Sequence, residues 1–171
     1  FTDPESVRKA IESIVSVRTI HILINNSGGP KSGPISAADA SEFNDAFQQH
    51  VICNQILANA VLPGMKRAGY GRIINIISTS VKTPLANLGV SNTIRAAVAA
   101  WAKTLSNEIG KYNITVNNVL PGLTKTGRLQ SLIQVTAEAQ DLAVADVEEM
   151  MMNTIPMHRF GEVEDIANVI A

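Results

Sequence analysis

With 171 residues, 46% of them apolar and 17% charged, the chain has material for one well-packed core and gives no case for two domains. Fourteen basic against fifteen acidic side chains leave a net charge of −1, which excludes a nucleic-acid surface made by charge alone. A single cysteine excludes an internal disulfide, no apolar run reaches the roughly 18 residues that cross a bilayer, and the start lacks the basic-then-apolar order of a secretion signal. A soluble cytoplasmic protein is expected, with neither membrane nor nucleic acid as a partner.

Taken in chain order, Thr2-Asp3-Pro4-Glu5 sets capping residues ahead of a first-turn proline, predicting a helix to about Val15 with Val7, Ile11 and Ile14 on one side. His21-Ile22-Leu23-Ile24-Asn25 predicts a buried strand that enters a sharp loop at Asn26-Ser27-Gly28-Gly29-Pro30. From Ser36 or Asp39 to near Gly69, apolar residues recur at three- and four-residue steps as in one long helix, with Cys53 inside the pattern as a small buried hydrophobe. Residues 73–77 form the next strand. Ile94, Val98, Trp101, Leu105 and Ile109 mark a helix face that Gly110 ends. A third strand, residues 114–120, stops at Pro121-Gly122. Residues 126–152 are helix-prone but irregular, and a last helix starts at Val163.

Strands alternating with helices imply parallel strands joined by right-handed crossovers, with helices on both faces of the sheet. Ligands of such sheets bind beyond the carboxyl ends of the strands. That singles out the loops at residues 26–30, 78–81 and 121–126.

Four motifs along the chain resemble those of the short-chain dehydrogenase/reductase family. Asn25-Asn26-Ser27-Gly28 is similar to its Asn-Asn-Ala-Gly loop, and Arg72-Ile73-Ile74-Asn75-Ile76-Ile77-Ser78 to the strand carrying its active-site serine. Asn117-Asn118-Val119-Leu120-Pro121-Gly122, with Thr124 and Thr126, resembles its Pro-Gly cofactor loop, and residues 157–167 the segment after its substrate lid. The resemblance implies an α/β, Rossmann-like doubly wound parallel sheet in three layers. It implies NAD or NADP as cofactor, a small carbonyl or alcohol substrate, and a homodimer or homotetramer built through the long helix and the helix bearing the active-site pair. Asn26, Ser27, Gly28, Pro121, Gly122, Thr124 and Thr126 are the implied cofactor contacts, and residues 129–152 the implied lid. The family's opening Gly-x-x-x-Gly-x-Gly turn is absent. Residues 1–171 are therefore expected to be a single partial domain, a fragment incomplete at both ends.

The departures from the family pattern bear on chemistry. Ser78 stands thirteen residues before Ser91, and Arg95 four after it, where the family has serine, tyrosine and lysine. The family tyrosine donates a proton to the carbonyl oxygen. A serine hydroxyl is far less acidic and is left to bind substrate or a water, while Arg95 keeps the charge for the ribose but cannot relay a proton. A fourth family position, an asparagine supporting a proton-relay water, falls on His50. Its plain reading is a helix-face histidine with a satisfied hydrogen bond; its sharper one is a replacement acid, with an ordinary pKa near 6.5. Ser78 has the alternative of merely capping the next turn. Neither tyrosine, Tyr70 or Tyr112, lies at the site's end of a strand, and scattered histidines give no metal-ligand spacing. The chain is expected to be an NAD(P)-dependent oxidoreductase with an atypical site, the alternative being a non-catalytic dinucleotide-binding or assembly protein on the same scaffold.

Overall fold

The structure, a computed structural model, describes residues 1–171. The chain divides into two compact units, Phe1–Leu120 and Pro121–Ala171. No helix in either is long and apolar enough to cross a membrane.

In the first unit, helix α1 (Pro4–Val15) begins where the sequence signals it. The Asp3 carboxylate accepts from the Glu5 N–H at 3.0 Å, and Pro4 occupies the first turn, where its missing N–H is harmless. Strands β1 (Ile22–Asn25), β2 (Gly71–Ile76) and β3 (Ile114–Val119) form a parallel sheet in the order β1-β2-β3, with Asn25 beside Asn75 and Asn75 beside Asn118. Leu23, Ile73 and Ile114 pack into one core with Ile11 of α1, Val61 and Met65 of helix α3 (Cys53–Ala68) and Ile109 of helix α4 (Gly89–Ile109).

The expected parallel α/β architecture is present, with one qualification inside this unit. Ile22 and Ile24, the alternate residues of β1, are 54% and 48% exposed, so this unit's helices cover only the other face. The reason is topological: strands added in one direction through right-handed crossovers set every connecting helix on the same side, and a second layer needs a reversal of strand order.

The segment read as one long helix is three pieces: α2 (Ala40–Phe47), a π-helical turn at Gln48–Ile52, and α3. The wider turn shifts helical phase, which apolar spacing does not report. Burial fits the reading of Cys53, whose side chain is fully enclosed and whose thiol pKa is pushed up chiefly by desolvation. Gly69, at φ +62°, ends α3 as a left-handed cap. Gly110 does not play that part after α4. It enters a short 3-10 turn, and the left-handed residue is Asn113, whose side chain donates to the Gly69 carbonyl at 2.9 Å.

Gly89 opens α4 where no side chain fits, since a Cβ there would lie 2.5 Å from Ile35 Cβ and 2.6 Å from its Cα. Its N–H donates to the Gly33 carbonyl at 3.1 Å, and the Gly33 N–H to the Asn87 carbonyl at 2.7 Å. Gly89→Ala is expected to force these backbones apart at about 1–3 kcal/mol. A fall in the urea midpoint at constant slope is the measurement, and an unmoved midpoint would refute the packing described.

The second unit holds α5 (Gly127–Gln140), α6 (Val144–Asn153) and α7 (Val163–Ile170); Leu129 and Ile133 of α5, Val147 of α6 and Phe160 form its core. The irregular stretch thus resolves into α5 and α6, parted by Asp141 in the left-handed region. Helix α7 starts with a reciprocal capping box between Glu162 and Asp165. The Glu162 N–H and the Arg159 guanidinium, which donates at 3.1 Å, hold the Asp165 carboxyl below its ordinary pKa. A depressed carboxylate stabilises above its unfolded pKa, and that contribution disappears as pH falls through the folded value. Protection of the amides in the first turn of α7, taken relative to their intrinsic exchange rates, is therefore expected to fall below about pH 4, a dependence that Asp165→Asn should abolish.

Candidate functional site

The site of the first unit lies at the carboxyl ends of β1 and β2. Three buried or half-buried strand asparagines brace it. Asn25 Nδ2 donates to Asn75 Oδ1 at 2.8 Å, and Asn75 Nδ2 to Asn118 Oδ1 at 3.0 Å, one amide per strand across the sheet. The parallel register makes this possible, because it sets the three residues level.

Beyond β1, Ser27 Oγ lies 3.0 Å from His50 Nδ1. His50 is 2% exposed, turned inward by the π-helical stretch, while Phe47 and Ile52 at its borders are exposed. Arg95, in the second turn of α4, donates from Nη1 to the Ile76 carbonyl at 2.9 Å and approaches His50 Nδ1 at 3.4 Å. Residues from four segments, the loop after β1, the π turn, the end of β2 and α4, thus share one hydrogen-bonded chain. The cation is fixed at the last carbonyl of β2, directly ahead of Ile77 and Ser78.

Ser78 does what its plainer reading required: its Oγ accepts from the Ser80 N–H at 3.1 Å and caps the turn at Thr79–Val81. A hydroxyl that accepts still has its hydrogen to donate, so capping leaves its substrate-facing role open. Ser91 is 7% exposed, one helical turn before Arg95. Asn26 is exposed. A Cβ added at Gly28 would meet only Gln49 Nε2, at 3.9 Å, so the loop beside Ser27 presents bare backbone to open space. That opening, with the Ser27 hydroxyl and the Arg95 guanidinium beside it, suits a flat, hydroxyl-rich nucleotide portion. A recess of about 200 Å³ between Lys31, Ser32, Pro34, Glu42 and Val90 adjoins the start of α4 and is too small for a dinucleotide.

In the second unit, the predicted cofactor loop is held by its own atoms. The Thr124 hydroxyl donates to the Gly122 carbonyl at 3.2 Å, and Thr126 to the Thr124 carbonyl at 3.3 Å. The Gly161 N–H donates to the Leu123 carbonyl, and the Lys125 N–H to the Gly161 carbonyl, so the loop is tied to the segment before α7. Pro121 and Gly122 open this unit.

Two contributors escaped sequence reasoning. One is the Ile76 carbonyl, which no residue type advertises. The other is Asn75, signalled only as a lone amide in an apolar strand. Ser80 Oγ is also buried, with no hydrogen-bond partner.

A family model described as Enoyl-(Acyl carrier protein) reductase matches residues 1–171. The chain is 31% identical over 173 residues to the 3-oxoacyl-[acyl-carrier-protein] reductase FabG of Haemophilus influenzae, covering 99% of this chain and 66% of that protein. It is 28% identical over 152 residues to the NADPH-dependent reductase BacG of Bacillus subtilis, covering 89% of this chain and 59% of the relative. Among solved structures, YwfH, an NADPH-dependent reductase involved in bacilysin biosynthesis, superposes with a TM-score of 0.90 at 26% identity, over 98% of this chain and 65% of that one. The chain therefore spans about two thirds or less of these relatives' length.

Proposed function

The chain belongs to the short-chain dehydrogenase/reductase family, and from that premise we propose that the protein is an NAD(P)-dependent oxidoreductase interconverting a carbonyl and an alcohol on a small molecule. The observation that carries this reading is the Arg95 guanidinium held at the carboxyl end of β2, beside the Ser27 hydroxyl and the open backbone at Gly28. When bound, a reduced nicotinamide supplies the hydride. In the first unit, Asn26, Ser27 and Gly28 are the residues to hold the cofactor, with Arg95 donating to its ribose; in the second, Pro121, Gly122, Thr124 and Thr126 are candidates on the family resemblance alone. Ser78 donates its remaining hydrogen to the substrate oxygen, and Ser91 binds that oxygen or a water. Neither supplies an acidic proton near neutral pH. Lacking a positioned general acid, the site should turn over on the order of 10²- to 10⁴-fold more slowly than one that has it.

That loss favours a second reading, a dinucleotide-binding protein without turnover. Titrating the full-length protein with NADH and NADPH while following nicotinamide fluorescence tests binding, and a panel of carbonyl substrates then tests reduction. Absence of binding would sink both readings; binding with no reduction above background would leave the second. Association into a homodimer or homotetramer belongs to the same proposal. Ala96 and Ala100 are exposed on α4, with Phe47 and Ile52 exposed beside the π turn, and small residues let helices approach closely. Sedimentation equilibrium giving a monomer would refute it.

A further inference from the structure

Two groups converge on one atom: the Ser27 hydroxyl at 3.0 Å and Arg95 Nη1 at 3.4 Å both face His50 Nδ1. A guanidinium has only hydrogens to offer. Its approach therefore requires a lone pair on Nδ1, which places the ring's proton on Nε2 and makes Ser27 a donor as well. An imidazolium would instead direct an N–H at the guanidinium and force Ser27 to accept. Arg95 has its own anchor on the Ile76 carbonyl at 2.9 Å, so it stays near the ring whatever the ring does. Burial compounds the effect, since a second positive charge 2% exposed beside the first would have little water to screen it.

From this geometry we propose that His50 is a positioning residue and not a proton donor. It is a neutral Nε2–H imidazole whose Nδ1 lone pair ties the loop at residues 26–30 to Arg95, fixing the separation between the cofactor loop and the cation meant for the ribose. The consequence for binding rests on the nicotinamide reading; the state of the ring does not. The π turn at Gln48–Ile52 is what turns this histidine inward, so the interruption of the helix and the hydrogen-bonded link are one device.

Replacement by asparagine separates this role from others, because its Oδ1 carries two lone pairs and can accept from both Ser27 and Arg95. In the full-length protein, His50→Asn is expected to keep NADPH affinity within about twofold, while His50→Leu, which has no acceptor, loses about tenfold, or ~1.4 kcal/mol. Nitrogen-15 spectra of the wild-type ring between about pH 6 and 8 are expected to show unprotonated Nδ1 and protonated Nε2. Ser27→Ala and Arg95→Gln should each shift the Nδ1 resonance. An imidazolium or an Nδ1–H tautomer in that range would overturn the proposal, as would His50→Asn binding no better than His50→Leu. If His50→Leu does not fold, the wild-type spectra still decide. If the protein binds neither NADH nor NADPH, the nicotinamide reading fails, while the ring spectra continue to judge the link.

Discussion

Asn75→Ala is expected to be among the most destabilising single substitutions in the first unit, at about 2–4 kcal/mol. Asn75 is 1% exposed and is the only member of the strand-asparagine chain that bonds on both sides. Its removal strands the Asn25 amide hydrogens and the Asn118 carbonyl oxygen. Asn25 suffers more, being 4% exposed with its own Oδ1 already unpartnered. An unsatisfied buried polar group costs about 1–3 kcal/mol, more than an average hydrogen bond contributes. Asn75→Leu leaves the same groups stranded while filling the volume, so it should fall about as far as Asn75→Ala. Urea unfolding of both variants measures this. If Asn75→Leu matched the wild type, the stabilisation would come from packing and not from the amides. Loss of nucleotide affinity should accompany the loss of stability, because Asn25 directly precedes the loop that carries Ser27.

The larger functional effect is expected from restoring the acid. Ser91→Tyr combined with Arg95→Lys should raise carbonyl reduction by about 10²-fold or more. An ordinary tyrosine titrates near pH 10, and a cation one turn along the helix favours its ionised form, which brings it toward neutral pH. Ser91 and Arg95 are four apart on α4 and so share a face, while Val90 and Ile94 on either side of Ser91 turn into a core with Ala46. Room for the larger ring is the main physical demand, given that Ser91 is 7% exposed. Ser91→Tyr alone separates that demand from the charge effect: it should fold and gain less than the pair, because arginine is the poorer partner for proton transfer. A double variant that folds, binds NADPH and gains nothing would refute the assignment of these two positions to the acid and its cation.

Much of the architecture was legible along the chain because it rests on local chemistry. Asp3 and Pro4 start α1, the run from Ile73 marks β2, and Pro121-Gly122 ends the strand before it. The end of α4 shows where such signals stop: Gly110 directly follows its last residue, but the chain reverses at Asn113. Gly110 and Asn113 both tolerate a reversal of the chain, and only the contact of the Asn113 side chain with the Gly69 carbonyl selects the second. The long helix differs in kind: one extra residue in a turn changes phase without changing composition, so the spacing of Phe43, Phe47 and Val51 looks continuous through a π turn.

For the site, the sequence by itself determined which residue types stand at positions 78, 91 and 95, and with them the absence of the usual acid there. It also determined the succession of strands and loops, since apolar period, capping residues and glycine-proline punctuation act over a few neighbours. Only tertiary structure decided that Ser27, His50 and Arg95 converge, that the Ile76 carbonyl holds the cation, and that three asparagines lie level. Those facts depend on strand register and helix phase, which couple residues 23 to 50 positions apart through the sheet and leave no mark on any single stretch of sequence.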